Sequence, residues 1–286
     1  MSGSLDSPIA KLERAIEHYR VLKFDFHGGV DRQHRPVTFE RKRDGLEYCF
    51  RVGEIEPLNS AWPLVIGDAY YNLRAALDHL AYQLHVRHYR GAVPAGPPDD
   101  AEGDSQFPIW DTLGSTPLRQ YRGIKRLGNP ELTAIELLQP YKGWGTHYPP
   151  RRNVWSIRRA LSDINMLNII DKHRELHLVH RTVQSVYSAP FGSDVGFQQY
   201  PVFGKRLESN AYVDRWTFTT PMPAVLMNVH PGVLTAVKID VGSDRIEVMP
   251  HLGGSIICIA GALGRFSGFF PPAAFPDLSW IHETRG

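Results

Sequence analysis

A chain of 286 residues is long enough for one large domain or for two small ones. Its 42% hydrophobic and 22% charged residues are ordinary for a soluble globular protein. The formal net charge of +2 gives no support to a generally basic surface for binding nucleic acid, although it is compatible with a local basic patch. The two cysteines, Cys49 and Cys258, suit a reducing cytosol and exclude a disulfide framework or a four-cysteine zinc site.

The sequence predicts neither a secretory signal nor a membrane span. The first residues, MSGSLDSP, have no basic region and no apolar region. The most apolar window runs from Leu252 to Phe270, but several glycines and Arg265 interrupt it. We therefore expect a soluble, cytoplasmic protein without a membrane partner.

The N-terminal region predicts one helix followed by a β-hairpin. Ser7 is a good N-cap and Pro8 a good first helical residue, and the helix is expected to end near Phe24. Asp44-Gly45 is typical of a two-residue type I′ turn. Such a turn predicts three pairs across the hairpin: Val37 with Val52, Phe39 with Phe50, and Arg41 with Tyr48.

The segment from Asp68 to Leu84 has the strongest helical pattern in the chain. Apolar residues recur at alternating spacings of four and three, so they share one helix face: Ile66, Tyr70, Leu73, Leu77, Leu80 and Leu84. Few charges interrupt the stretch, whereas a surface helix normally has a charged outer half. We therefore expect this central helix to be covered on more than one side.

Two further helices are predicted beyond a stretch rich in Pro, Gly and acidic residues at 91–105. That stretch has no core-forming pattern and is expected to be a mobile surface insertion. The first of the two helices runs from Asn129-Pro130 through Leu138. The second is long and is capped by Asn153.

One face of this second long helix changes character along its length. It begins with apolar residues and continues with polar ones: Ile157, Leu161, Ile164, Asn168, Asp171 and Glu175. A core face that turns polar predicts buried polar groups with designated partners. The natural partners in the central helix are Asn72, Arg74 and His79.

Short β-rich runs follow the helices. They predict an antiparallel sheet that recruits the N-terminal hairpin, with a hairpin loop at Gly242-Ser243-Asp244. A final helix is expected from Ser255 to Phe266, ended by Pro271. The runs are Thr182–Tyr187, Ala211–Thr219, Ala224–Val229, Leu234–Val241 and Arg245–Met249.

These elements predict an α+β fold, with a helical bundle of two long core helices and an antiparallel β-sheet. We expect a single domain over residues 1–286. Residues 1–58 would form the first helix and the hairpin, and residues 59–178 the bundle with its insertion. Residues 179–250 would form the β-rich part, and residues 251–270 would hold the C-terminal helix.

The central helix contains the spacing Arg74-x4-His79, within the string GDAYYNLRAALDHL. This spacing resembles the signature of the HEPN superfamily, whose helical-bundle members are often metal-independent ribonucleases. Together with the later string NIIDKHRELH, it is also similar to a family of uncharacterised bacterial proteins. The resemblance implies a homodimer that acts on RNA without a metal or other cofactor, in toxin or phage-defence biology. The chain departs from the superfamily at Ala75, where a polar residue is usual.

In the mechanism implied by this resemblance, His79 is the general base or acid at the ribose 2′-hydroxyl. Arg74 stabilises charge on the phosphate. Further polar residues would orient these two or add positive charge: Asn72, Asp78, Asn168, Asp171, Lys172, His173 and Arg174.

Helix geometry also supports a structural interpretation of the same residues. Five residues of ideal helix rotate by about 140°, so Arg74 and His79 do not share a face. They would meet one phosphate only in a cleft around the helix or across a dimer. Alternatively, Arg74 pairs with Asp78 at the i,i+4 spacing, and the set fixes helix register in a non-catalytic scaffold or ligand-binding module. Burial of both Arg74 and His79 would favour this second hypothesis.

The densest ionisable cluster, Asp171 to His177, suggests a third hypothesis, a metal-dependent hydrolase. His173 and His177 are four residues apart and can point the same way, as paired metal ligands do. With His79 they would form a three-histidine site in the bundle, as in DinB-like proteins. Glu175 lies about 200° from His173 around the helix and so could not act as its partner base.

Overall fold

The structure is a computed structural model, and most of the chain can be described from it. The described residues are 3–25, 37–55, 57–88, 106–113, 121, 124, 127–143, 157–173, 179–187, 196–203, 206–223, 232–241 and 244–282. Several expected features lie outside them, among them the insertion at 91–105, the cap at Asn153, the run Ala224–Val229 and residues Gly242-Ser243 of the predicted hairpin loop.

The predicted α+β class is confirmed. The described helices are α1 (Asp6–Asp25), α2 (Trp62–His88), α3 (Asn129–Leu138), α4 (Ile157–His173) and α5 (Val248–Gly264). The described strands are β1 (Val37–Lys42), β2 (Glu47–Val52), β3 (Val179–Tyr187), β4 (Phe197–Gln199), β5 (Tyr212–Phe218), β6 (Gly232–Val241) and β7 (Asp244–Glu247). The expectation of two long helices is too low, because α1 and α5 are also long, with 20 and 17 residues.

The chain divides into two compact units. The helical unit comprises Met1–Val21, Leu64–His177 and Met249–Gly286. The β-rich unit comprises Leu22–Pro63 and Leu178–Val248. The organisation as one domain stays a prediction.

The central helix is α2, and it extends the predicted segment at both ends. All six residues of its predicted apolar stripe are buried, with exposed fractions of at most 1%. Ala75 and His85, about 180° and about 100° around the helix from the centre of that stripe, are buried as well. The helix is therefore covered on more than one side, as its low charge predicted.

The first helix begins at Asp6, two residues before the predicted Pro8, so Ser7 is not its N-cap. Ser7 and Pro8 both lie inside the first turn of α1. The Ser7 hydroxyl therefore does not cap the helix and instead contacts His79 of α2. Pro8 is tolerated there because amide groups in a first helical turn have no intrahelical partner.

The N-terminal hairpin forms with the predicted register and turn. Strands β1 and β2 pair Val37 with Val52, Phe39 with Phe50, and Arg41 with Tyr48. Asp44 has φ 53° and ψ 30°, Gly45 has φ 94°, and the Leu46 amide donates to the Arg43 carbonyl at 3.0 Å. Positive φ at both central residues is the geometry of a type I′ turn.

The hairpin belongs to a four-stranded antiparallel sheet with the order β1-β2-β5-β4. One face of this sheet carries the aromatic core of the β-rich unit, in which Trp216 is fully buried. The remaining described strands form a separate three-stranded antiparallel sheet with the order β3-β6-β7. The single predicted sheet is therefore two sheets, and the hairpin is recruited into the first.

The C-terminal helix starts seven residues before the predicted Ser255 and ends at Gly264. Among the described residues, one segment, Val248–Phe269, is long and apolar enough to span a membrane, with a mean hydropathy of 1.4. Half of that window is buried inside the protein, a property shared by core helices of soluble proteins.

Candidate functional site

Arg74 lies on α2 with its guanidinium bound to a neighbouring backbone segment. Its Nη2 donates to the carbonyl of Phe107 at 2.7 Å and lies 3.0 Å from Oδ1 of Asp78. The same Oδ1 accepts the amide N–H of Phe107 at 2.9 Å. Arg74 and Asp78 therefore hold both polar groups of one residue, and we call this arrangement the Arg74–Asp78 clamp.

Burial limits what else Arg74 can bind. The residue is only 9% exposed, and the Phe107 side chain beneath it is fully buried. The second terminal nitrogen, Nη1, is buried without a hydrogen-bond partner among the described residues. The guanidinium therefore presents little surface to a phosphate.

His79 has a different partner and is partly exposed. Its Nδ1 lies 2.5 Å from the hydroxyl of Ser7 in the first turn of α1. Burial lowers the pKa of His79 below 6.5, and the positive charge of Lys11 lowers it further, against a smaller opposing effect of Asp78. The imidazole is therefore neutral at pH 7.

Besides Asp78, the structure describes the side chains of two other polar residues predicted around Arg74 and His79, Asn72 and Asn168. The Asn72 amide donates to the carbonyl of Asp68 at 2.8 Å, within its own helix. Asn168 is buried, and its Oδ1 has no hydrogen-bond partner in the described part of the chain. The hydrogen bonds described for Asn72, Arg74 and His79 are therefore with residues other than Asn168, and the side chains of Asp171 and Glu175 lie outside the described part of the chain, so the network between α2 and α4 stays a prediction.

A polar network that the sequence did not predict lies in the helical unit, and we call it the Tyr70–His251–Asp163 relay. The Tyr70 hydroxyl lies 2.6 Å from Nδ1 of His251, and Nε2 of His251 lies 3.2 Å from Oδ2 of Asp163. Arg159, one turn before Asp163 on α4, donates its Nε to the same Oδ2 at 2.7 Å. The relay joins α2, α4 and α5 through side chains alone.

Burial assigns the hydrogen-bond roles in the relay. Burial and the charge of Asp163 raise the pKa of Tyr70 well above 10, so the phenol keeps its proton. The contacts are mutually consistent when Tyr70 donates to Nδ1 and His251 donates from Nε2 to Asp163. Asp163 and His251 are 2% and 3% exposed, so the relay has no opening to a substrate and is structural.

Sequence reasoning missed the relay because each member belongs to an ordinary pattern. Tyr70 falls on the apolar stripe of α2, where its hydroxyl adds nothing to the periodicity. His251 directly precedes the apolar C-terminal window, which starts at Leu252. Arg159 and Asp163 are an i,i+4 pair of a common kind. The one available signal was a histidine inside an otherwise apolar helix.

Several predicted site residues lie outside what the structure describes. Arg174 and His177 belong to this set, as do the side chains of Asp171, Lys172 and His173, whose backbone ends α4. Among the described residues, no group of three or more His, Cys, Asp or Glu side chains could hold a metal ion. The three-histidine site of His79, His173 and His177 stays a prediction.

The lowered pKa of His79 predicts a pH dependence of stability. The folded state binds the proton less tightly than the unfolded state, so the free energy of unfolding should fall as pH drops below 6.5. His18, whose pKa burial and Arg14 also lower, adds an effect of the same sign. Urea unfolding between about pH 7.5 and about pH 5.5 should show this loss, and a smaller loss in His79→Gln. An unchanged pH dependence in that variant would contradict the assignment.

Comparison of the chain with protein-family models, with curated proteins and with solved structures found no match. The similarity to the HEPN superfamily therefore stays a prediction from the spacing of Arg74 and His79.

Proposed function

We propose that this chain is a helical-bundle scaffold or ligand-binding module in which Arg74 serves the fold rather than RNA cleavage. The supporting observation is the Arg74–Asp78 clamp, in which the nearly buried guanidinium binds a carboxylate and a backbone carbonyl at once. A residue that must stabilise a phosphate in the transition state needs donors directed at that phosphate. Of the terminal guanidinium nitrogens of Arg74, Nη2 binds Phe107 and Asp78, and Nη1 is buried.

The Tyr70–His251–Asp163 relay supports the same proposal. Buried polar groups that satisfy one another restrict how helices can pack, because a shifted register leaves them unpaired. The relay and the clamp attach three elements to α2: α4, α5 and the segment at 106–113. A rigid bundle of this kind is suited to presenting a surface to a ligand or partner.

RNA cleavage is a direct test of this proposal. Purified protein is incubated with mixed RNAs, with and without EDTA, beside the variants Arg74→Lys and His79→Ala. The scaffold role predicts no cleavage above the level of His79→Ala. Cleavage that resists EDTA and is lost in both variants while their circular dichroism is unchanged would overturn it.

A second candidate, the HEPN-like metal-independent ribonuclease, is supported by His79 alone. This imidazole is partly exposed and neutral at pH 7, as a general base must be. Its phosphate ligand would then come from residues other than Arg74, such as Lys172 or Arg174, or from the second subunit of a homodimer. Cleavage lost in His79→Ala but retained in Arg74→Lys would favour this version.

A further inference from the structure

We propose that Ser7 and His79 form a nucleophile–base dyad that accepts an acyl group from an activated carboxylic ester. This activity goes beyond the scaffold role and does not depend on it. The dyad uses His79 of α2, whereas the scaffold role is argued from Arg74 and from the relay.

The geometry meets the first requirement for such a pair. Activation of a serine hydroxyl needs a base within hydrogen-bond distance, about 2.6–3.2 Å. Ser7 Oγ and His79 Nδ1 are separated by 2.5 Å, slightly closer than that range and in direct hydrogen-bond contact. The two residues are 72 positions apart in sequence, so tertiary packing of α1 on α2 produces the contact.

Access and protonation meet the second requirement. Both residues are partly exposed, unlike Tyr70, Asp163 and His251 of the relay. The pKa of His79 lies below 6.5 because of burial and Lys11, so Nδ1 is available as a base at pH 7 when Nε2 carries the ring proton. A dyad of this kind is therefore reactive under ordinary conditions.

The position of Ser7 in the first turn of α1 favours the same chemistry. Amide groups at a helix N-terminus carry partial positive charge, which stabilises negative charge developing nearby. The positive charge of Lys11, one turn further along, acts in the same direction. Asp6 opposes it, but its side chain is exposed and its effect is screened by water.

The reaction with p-nitrophenyl acetate has two steps, acylation of Ser7 and hydrolysis of the acetyl-serine. Ser7 Oγ bonds to the carbonyl carbon while its proton passes to Nδ1 of His79. The bond from that carbon to the phenolic oxygen breaks, and p-nitrophenolate leaves with the electron pair. Nδ1 first releases the Ser7 proton to bulk water. A water molecule then attacks the acetyl-serine and gives one proton to Nδ1, which passes it to Oγ as the ester bond breaks; acetic acid leaves and ionises to acetate in solution.

The test uses the full chain and p-nitrophenyl acetate near pH 7, with peptide mass spectrometry to locate the acetyl group. Ser7 should be acetylated in the wild-type protein and the control variant Ser4→Ala. The rate should fall at least about 100-fold in His79→Gln, which keeps a hydrogen-bonding side chain but loses the base. His18→Gln, which replaces another histidine of lowered pKa, should leave the rate unchanged.

Two results would overturn the proposal. One is acetylation of Ser7 in the folded wild-type protein no faster than that of Ser4. The other is an unchanged Ser7 rate in His79→Gln, which would make the contact a structural hydrogen bond. Circular dichroism of each variant establishes that rates are compared between folded proteins.

Discussion

Replacing Asp163 by Ala is expected to lower the free energy of unfolding by about 3–5 kcal/mol, because it removes the central acceptor of a buried network. The carboxylate is 2% exposed and accepts from both Arg159 and His251. Without it, His251 loses the acceptor that Asp163 supplies 3.2 Å from its Nε2, and the desolvation of this buried group is less well compensated. Urea unfolding followed by circular dichroism measures the change.

Two comparisons make the Asp163 experiment specific. Glu13→Ala removes an exposed carboxylate from α1 and should change the stability by less than about 0.5 kcal/mol. In a double-mutant cycle, Asp163→Ala and His251→Ala should be strongly non-additive, since each removes the same contact. A loss below about 0.5 kcal/mol in Asp163→Ala would show that the relay contributes nothing to stability.

The parts of the fold that the sequence predicted are those with a strong local pattern. The apolar stripe of α2 sets its buried face, and helix periodicity alone determines which side chains share it. The register of the β1–β2 hairpin follows from the turn at Asp44-Gly45, because a two-residue loop leaves only one pairing. In both cases the determining information lies within about twenty residues of sequence.

The polar contacts could not be predicted in the same way, because they depend on how distant segments pack. Ser7 is a reasonable N-cap by sequence, but the helix starts at Asp6. The Ser7 hydroxyl instead contacts Nδ1 of His79. Phe107 follows the stretch at 91–105, and no periodicity indicates that its peptide group would meet Arg74. The i,i+4 pairing of Arg74 with Asp78 was predicted, since helix geometry is sufficient for it.

Arg74→Ala is expected to destabilise the protein by about 3 kcal/mol, because it removes the charged donor that the Phe107 carbonyl and the Asp78 carboxylate share. The Phe107 carbonyl and the Asp78 carboxylate both lose a hydrogen bond to a charged group. Arg74→Lys should recover only part of the loss, since a single ammonium cannot reproduce the planar guanidinium. The Phe107 amide should exchange its hydrogen faster in both variants, because the segment at 106–113 is held less firmly.

The effect of Arg74 on stability also distinguishes a residue of the fold from a residue of catalysis. A catalytic arginine in an open cleft can be replaced by Ala with little loss of stability, since water solvates the space it leaves. A clamp residue cannot be replaced by Ala without a loss of stability. The effects of Asp78→Ala and Arg74→Ala on the free energy of unfolding should therefore be non-additive, because both side chains bind Phe107. Unchanged stability in Arg74→Ala, with unchanged exchange at Phe107, would remove the main support for the scaffold role and return Arg74 to the candidates for catalysis.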